Sequence, residues 1–345
     1  MVSKIDPFSI DDPTWQDNGF PFLHSGRFQT RHLIIGLMFS IVGFSSLSSL
    51  QGQGTVVVSF SSRGDLLIVG DQSSNSLTVS QSGDEFRFEG SAGTEILLNA
   101  AGRSPQFGEI VALPMSDAIL LRKISVDLKQ GRNTLVVFDL PELVTGNIDV
   151  KVDVGDNLIF INPSNPVTVM GNISVKGKRA PNATHTFILG DQFFGNSDIT
   201  VLKKVNVNLS ARLNQVALIG VECEGLSSSM GGGGCDQSIA LTSVLGQASI
   251  KSNGSDVGIN RWFGCRFKGQ TSITTGNAPN LLNIEHLEFR GRVSVKMGRS
   301  NDEIIVRSAN FYNNKAAQFD GGKGANGFVD NGNNHFEVPP KLKNF

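Results

Sequence analysis

The chain has 345 residues, with 30 Lys and Arg against 31 Asp and Glu, a formal net charge of -1. That balance excludes a globally basic nucleic-acid binder, and three cysteines (Cys223, Cys235 and Cys265) exclude a disulfide-rich framework or a four-thiolate zinc site. The 39 glycines and 23 phenylalanines, beside one tyrosine, two tryptophans and recurrent Asn, Ser, Thr and Val, suit strands and turns better than helices.

Residues 1–50 read as a leader. Residues 1–32 are polar and end in GRFQTRH, and residues 33–50, LIIGLMFSIVGFSSLSSL, carry no charge. Arginines before an apolar run and small residues after it resemble a bacterial export signal. The most apolar part, residues 33–44, is shorter than the roughly 20 residues of a membrane span. Cleavage is therefore expected within residues 45–53, where Ser46 and Ser48 supply small side chains, and the mature chain is expected outside the cell or on its surface. An uncleaved signal-anchor is the second reading, with residues 33–50 as the sole membrane contact. A buried helix of a cytosolic protein is the third.

Residues 55–105 form a run of short strands (TVVVSF, DLLIVGD, SLTVSQ, FRFEG, TEILLNA) broken by SSRG, QSSN, QSGD and GSAG. These are hairpins, or the atypical cap that a repeat array needs at its end.

From residue 106 to 335 the chain repeats itself. GNIDVKV, GNISVKG and NSDITVL centre on Ile148, Ile173 and Ile199, 25 and 26 residues apart. A second kind of strand (NTLVVFDL, DNLIFIN, THTFILG, NQVALIG, DEIIVRS) begins each time beside Asn, Asp or Thr. Val221, Cys223 and Gly225 match Val244, Gly246, Ala248 and Ile250 in register, and SSSMGGGGCDQ between them reads as a flexible loop. Around Gly269 the apolar or small set is Cys265, Phe267, Gly269, Thr271 and Ile273; around Gly291 it is Leu287, Phe289, Gly291, Val293 and Val295. Glu288, Arg290, Arg292, Ser294 and Lys296 alternate with the latter, the mark of a half-buried strand. Phe267, Phe289 and Phe311 recur every 22 residues.

A period of 22–26 residues with short strands in each unit predicts a solenoid. The fold class expected is all-β, a parallel β-helix, right-handed by analogy with others of its kind, with about eleven coils of roughly 25 residues. A glycine at a fixed register predicts a corner. A β-sandwich is the competing fold, but it gives no cause for a repeated glycine-centred register. Residues 336–345 form a tail, in which Pro339 and Pro340 are expected to stop strand addition.

VKMGRSNDEIIVRSANF, and GDLLIVGDQSSNSLTVSQSGDEFRFEGSAGTEILLNAAG nearer the start, resemble the repeats and the N-terminal module of large secreted bacterial β-solenoid proteins. The resemblance implies the fold and secretion rather than an activity. Some such proteins bind calcium through G-G-x-G-x-D turns. Here GGKGAN (321–326) puts Asn326 where Asp is wanted, which leaves Asp302, Asp320 and Asp330 as weak calcium candidates and ordinary Asx turns as the alternative. No other cofactor is expected.

The chemistry-bearing candidates lie on the exposed side of the best repeats. Arg266, Lys268, Arg290, Arg292 and Lys296 would form a basic stripe able to hold an acidic polysaccharide or another cell-envelope component; a solvated face is the plainer reading. No catalytic residue is assigned. The β-helix also carries pectin-active lyases and polygalacturonases, so a polysaccharide lyase or glycosidase-like enzyme is the alternative function. Such sites need clustered carboxylates or an acid and base pair, and no paired Asp/Glu motif accompanies the stripe. Trp262 aligns with Ile284 and Val306, which predicts a core residue. A bridge between Cys223 and Cys235, leaving Cys265 as a buried thiol, is left open.

Overall fold

Alternation in the sequence becomes alternation of inside and outside. In Asn280–Glu285 and Ile148–Val152 every second side chain is buried, because successive side chains of a strand point to opposite faces. The computed structural model describes residues 54–345, apart from 92, 115–120, 139, 164, 191–198, 255 and 257. The leader and its apolar segment, residues 33–50, lie outside the described residues.

Strands from successive repeats stack in parallel as three walls. The first runs through Asp65–Gly70, Lys123–Leu128, Ile148–Val152, Ile173–Gly177, residues 205–208 and 226–230, Ala248–Ser252, Thr271–Thr275, Val293–Lys296, Gln318–Asp320 and Lys341–Lys343. The second contains Asn133–Phe138, Asn157–Asn162, Gly258–Phe263, Asn280–Glu285 and Glu303–Arg307. The third is narrow, two or three residues per rung, and includes Ser243–Val244, Arg266–Phe267, Glu288–Phe289, Asn310–Phe311 and His335–Phe336. The fold is a parallel β-solenoid of about nine turns, each of about 24 residues.

Nine turns rather than eleven follow from two features. The segment before residue 115 spends its strands in antiparallel pairs: Thr55–Phe60 with Asp65–Gly70, Ser76–Ser82 with Glu85–Gly90, and Glu95–Ala100 with Gln106–Gly108. One turn is also long, since Ile173 pairs with Val205, 32 residues on. That turn displaces the expected Ile199 match. Ile199 pairs with Val167 in the third wall, and Val205 takes the place beside Ile173 in the first.

Two other expectations are corrected. SSSMGGGGCDQ is not a loop but part of the strand Val221–Ala240, paired along its length with Ile199–Ile219. Two of its glycines, Gly232 and Gly233, sit where backbones nearly touch: a Cβ on Gly233 would collide with the Arg212 carbonyl oxygen. Gly254, Gly276, Gly298 and Gly322 continue that column, each crowded by a carbonyl of the preceding rung. Pro339 and Pro340 do not end the stacking. They occupy a corner, and Lys341–Lys343 beyond them pairs with Gln318–Asp320.

Phe267, Phe289, Phe311 and Phe336 stack face to face inside the coil with ring centroids 5.3, 4.9 and 4.5 Å apart. Leu287 and Trp262 are also buried in this core. All three cysteines are buried free thiols, so the Cys223–Cys235 bridge does not form. Burial pushes Cys223 and Cys265 up to about 12 and Cys235 to about 11, which leaves them as inert core residues.

A polar ladder lines the corner between the first and second walls. Asn75 donates to Asn133 Oδ1 at 3.2 Å, Asn133 to Asn157 Oδ1 at 2.9 Å, and Asn157 Nδ2 lies 3.2 Å from His185 Nδ1. With His185 Nε2 placed 3.0 Å from the Lys178 carbonyl, the ring is satisfied as the neutral Nε2–H tautomer. Desolvation correspondingly holds its pKa below the ordinary 6.5.

Candidate functional site

The narrow third wall, the corner that follows it and, through Lys296, the first wall present the basic stripe. Arg266 pairs with Glu288 across one rung, and Thr274 with Lys296. The intervening outward positions follow the same register, so Lys268 neighbours Arg290 and Gln270 neighbours Arg292. Arg266 Nε donates to Glu288 Oε2 at 3.1 Å, and Arg290 Nε bonds the other oxygen, Oε1. Glu288 is clamped between two guanidinium groups with its side chain 14% exposed. Arg292 Nη2 reaches Gln318 Oε1 at 3.0 Å. Lys268 is exposed. Lys296 pairs in register with Asp320, which also receives Lys343 at 3.3 Å and Asn344 at 2.7 Å.

The structure adds two residues to this strip. Tyr312 follows Arg290 by one rung, its amide bonded to the Phe289 carbonyl at 2.8 Å, and the residue is 45% exposed. His335 stands beside it, with ring centroids 5.4 Å apart. The signal was present: Tyr312 is 22 residues from Arg290 and is the sole tyrosine. A second exposed group lies where the second wall turns into the third. Phe263 meets the His286 ring edge-on at 5.3 Å, and Glu285 accepts from Arg307 at 3.5 Å.

The strip is an ionic and stacking surface. Its carboxylate, Glu288, has each oxygen engaged by an arginine. The three aspartates do not converge. Asp302 is buried in the polar ladder. Asp320 closes a turn through the Gly322 amide at 3.0 Å, a bond that leads the causes holding its pKa below the ordinary 3.8. Asp330 closes a turn by accepting from the Gly332 amide at 2.9 Å. Among the described residues no three His, Cys, Asp or Glu side chains gather closely enough to hold a metal ion. Comparison with family models, curated proteins and solved structures finds no match.

Proposed function

We propose that the protein is a non-catalytic, exported scaffold of the cell surface or surroundings, whose narrow wall binds acidic glycans weakly. The observation that carries this reading is the alignment of Arg266, Lys268, Arg290 and Arg292 on adjacent rungs, extended by the exposed ring of Tyr312 and offset by the single carboxylate of Glu288. Parallel rungs about 4.8 Å apart hold these groups at fixed spacing. An aromatic face beside cations suits a sugar ring bearing carboxylate or sulfate. Exposed ion pairs are screened over about 8 Å at physiological salt, so the binding is weak and salt-sensitive.

Two experiments test the reading. Pectin, alginate and sulfated glycans are scored for retention at low and high salt and for new reducing or unsaturated ends. Retention should fall as salt rises, and Arg290→Ala with Tyr312→Ala should lower low-salt retention several-fold. Cleavage of any glycan would overturn the non-catalytic reading. Fractionation of tagged protein should place it outside the cytoplasm, with a mature N-terminus within residues 46–54. Cytoplasmic protein with Met1 intact would refute export, and a membrane-retained uncut form would replace the cleaved signal by an anchor.

A further inference from the structure

At the middle inward position of the first and second walls the coil is apolar on almost every rung, and two adjacent rungs depart from this. In the second wall the middle inward position reads Leu77, Leu135, Ile159, Phe187 and Val216, then Gln237 and Asn260, then Leu282, Ile304 and Phe328. In the first wall the matching position reads Ile68, Val126, Val150, Val175 and Val207, then Ser228, then Ile250, Ile273, Val295 and Phe319. Ser228 and Gln237 belong to the same turn of the coil, and Asn260 to the next. All three are fully buried.

Their hydrogen-bonding groups are left over. Ser228 Oγ, both amide atoms of Gln237 and Asn260 Nδ2 have no protein partner. Asn260 Oδ1 is engaged by Ser252 Oγ at 3.1 Å, which fixes the orientation of that amide. A buried amide without partners costs free energy at each orphaned atom. Interiors settle that cost with water when a site is polar and roomy enough to give it two to four partners. Ser228 is smaller than the Val and Ile that stand at its position on both neighbouring rungs, so less side-chain volume fills the coil at that point. The leftover groups include donors (Gln237 Nε2, Asn260 Nδ2) and acceptors (Gln237 Oε1, Ser228 Oγ), the mixed set a water molecule needs.

We infer that the coil encloses a hydration site at this level, with ordered water bridging Gln237, Asn260 and Ser228. The site interrupts the apolar column at the middle position, while the hydrophobic core runs on past it through Met230, Ile239 and Trp262. It also marks the register, because a slip of one turn would set a carboxamide against Val216 or Leu282 with nothing to bond.

The test is a high-resolution crystal structure of the full chain together with water-to-amide cross-relaxation in solution. Expected is a solvent peak within hydrogen-bond distance of a Gln237 amide atom and of Ser228 Oγ or Asn260 Nδ2, with a matching water signal on the Gln237 side-chain protons. A direct Gln237–Asn260 bond in a dry interior would overturn the inference. Ser228→Val, which restores the residue type of the preceding rung, should abolish the water signal. Its persistence in a folded variant would exclude the Ser228 side of the site. Should that variant fail to fold, the wild-type measurements still decide.

Discussion

Asp302 occupies a rung where its neighbours in the polar ladder carry asparagine. Asn133, Asn157 and Asn280 each send their amide nitrogen to carbonyls two and four residues back. A carboxylate cannot do this. Asp302 Oδ1 accepts from the Asn280 backbone and side chain at 2.8 and 2.9 Å, but Oδ2 is buried without a partner in a residue only 3% exposed. Desolvation accordingly raises the Asp302 pKa above the ordinary 3.8, against the lowering effect of Asn280. The folded state therefore holds the proton more tightly than the unfolded one. The cost of the buried charge is absent below the unfolded pKa and grows as pH rises through the folded value. Asp302→Asn should then stabilise at pH 7 by about 1 kcal/mol, with a gain that shrinks toward pH 4. Urea melts of the two proteins across that range check both parts. Destabilisation at neutral pH would mean that a cation or another donor holds Oδ2. His185 has the opposite sign: its folded pKa is depressed, so its neutral state favours folding above about pH 6.5, and that contribution is lost as pH falls.

At the scale of the strand and corner, the tetraglycine run separates two roles that one composition conceals. Gly231 has only Ser210 Oγ near its missing Cβ, at 3.7 Å, whereas Gly233 faces the Arg212 backbone carbonyl within collision distance. No rotamer change relieves a clash with backbone. Gly233→Ala should cost about 1–3 kcal/mol, and Gly231→Ala should stay within about 0.5 kcal/mol; equal effects in a thermal melt would refute the close-approach account. Leu287→Asp places an unpaired charge in the core and should cost several kcal/mol. Glu288→Ala loses two partly exposed ion pairs and should cost no more than about 1 kcal/mol. The same elements show what the sequence could and could not reveal. The ladder of Phe267, Phe289 and Phe311 was legible because alternation and a constant 22-residue period coincide there. Ile199 was misplaced because alternation identifies a strand's buried face but not which wall it joins, and a 32-residue turn breaks the count. The glycine run misled because glycine serves flexibility and close approach alike, and only the neighbouring rung tells them apart. The corner after the second wall escaped notice for a related reason. Leu241, His286 and Ser308 adopt φ of 50–54° there in line with Gly264 at 62°, a conformation that Leu and Ser do not advertise. The five cations of the stripe were legible from spacing, as was the place of Tyr312 22 residues after Arg290, but the clamping of Glu288 between Arg266 and Arg290 needed side-chain directions.

For the molecule as a whole, a stack of coils has a problem that a closed core lacks, because its last strands keep one row of backbone groups unpaired. Among the described residues, the final strand of the first wall is Lys341–Lys343, which pairs with Gln318–Asp320 on one side. Leu342 follows Phe319 in register yet is 48% exposed, and Phe328 and Phe345 meet edge-on nearby at 5.7 Å. This end thus offers both a strand edge and apolar surface, the two ingredients of edge-to-edge association. The flanking lysines oppose it. Another copy approaching the same edge would bring two further lysines against them, and like charges directly opposite are unfavourable. Lys343 is in addition tied to Asp320 at 3.3 Å. Replacing both residues (Lys341→Val with Lys343→Val) should leave the folded coil intact, because an exposed ion pair contributes at most about 1 kcal/mol. It should also make sedimentation or light scattering rise with concentration well beyond the wild-type trend. Added salt provides the discriminating control: screening the lysines should move the wild type part of the way toward the variant and leave the variant nearly unchanged. A variant that melts normally and shows the wild-type concentration dependence would mean that the edge is protected by the corner containing Pro339 and Pro340 rather than by charge.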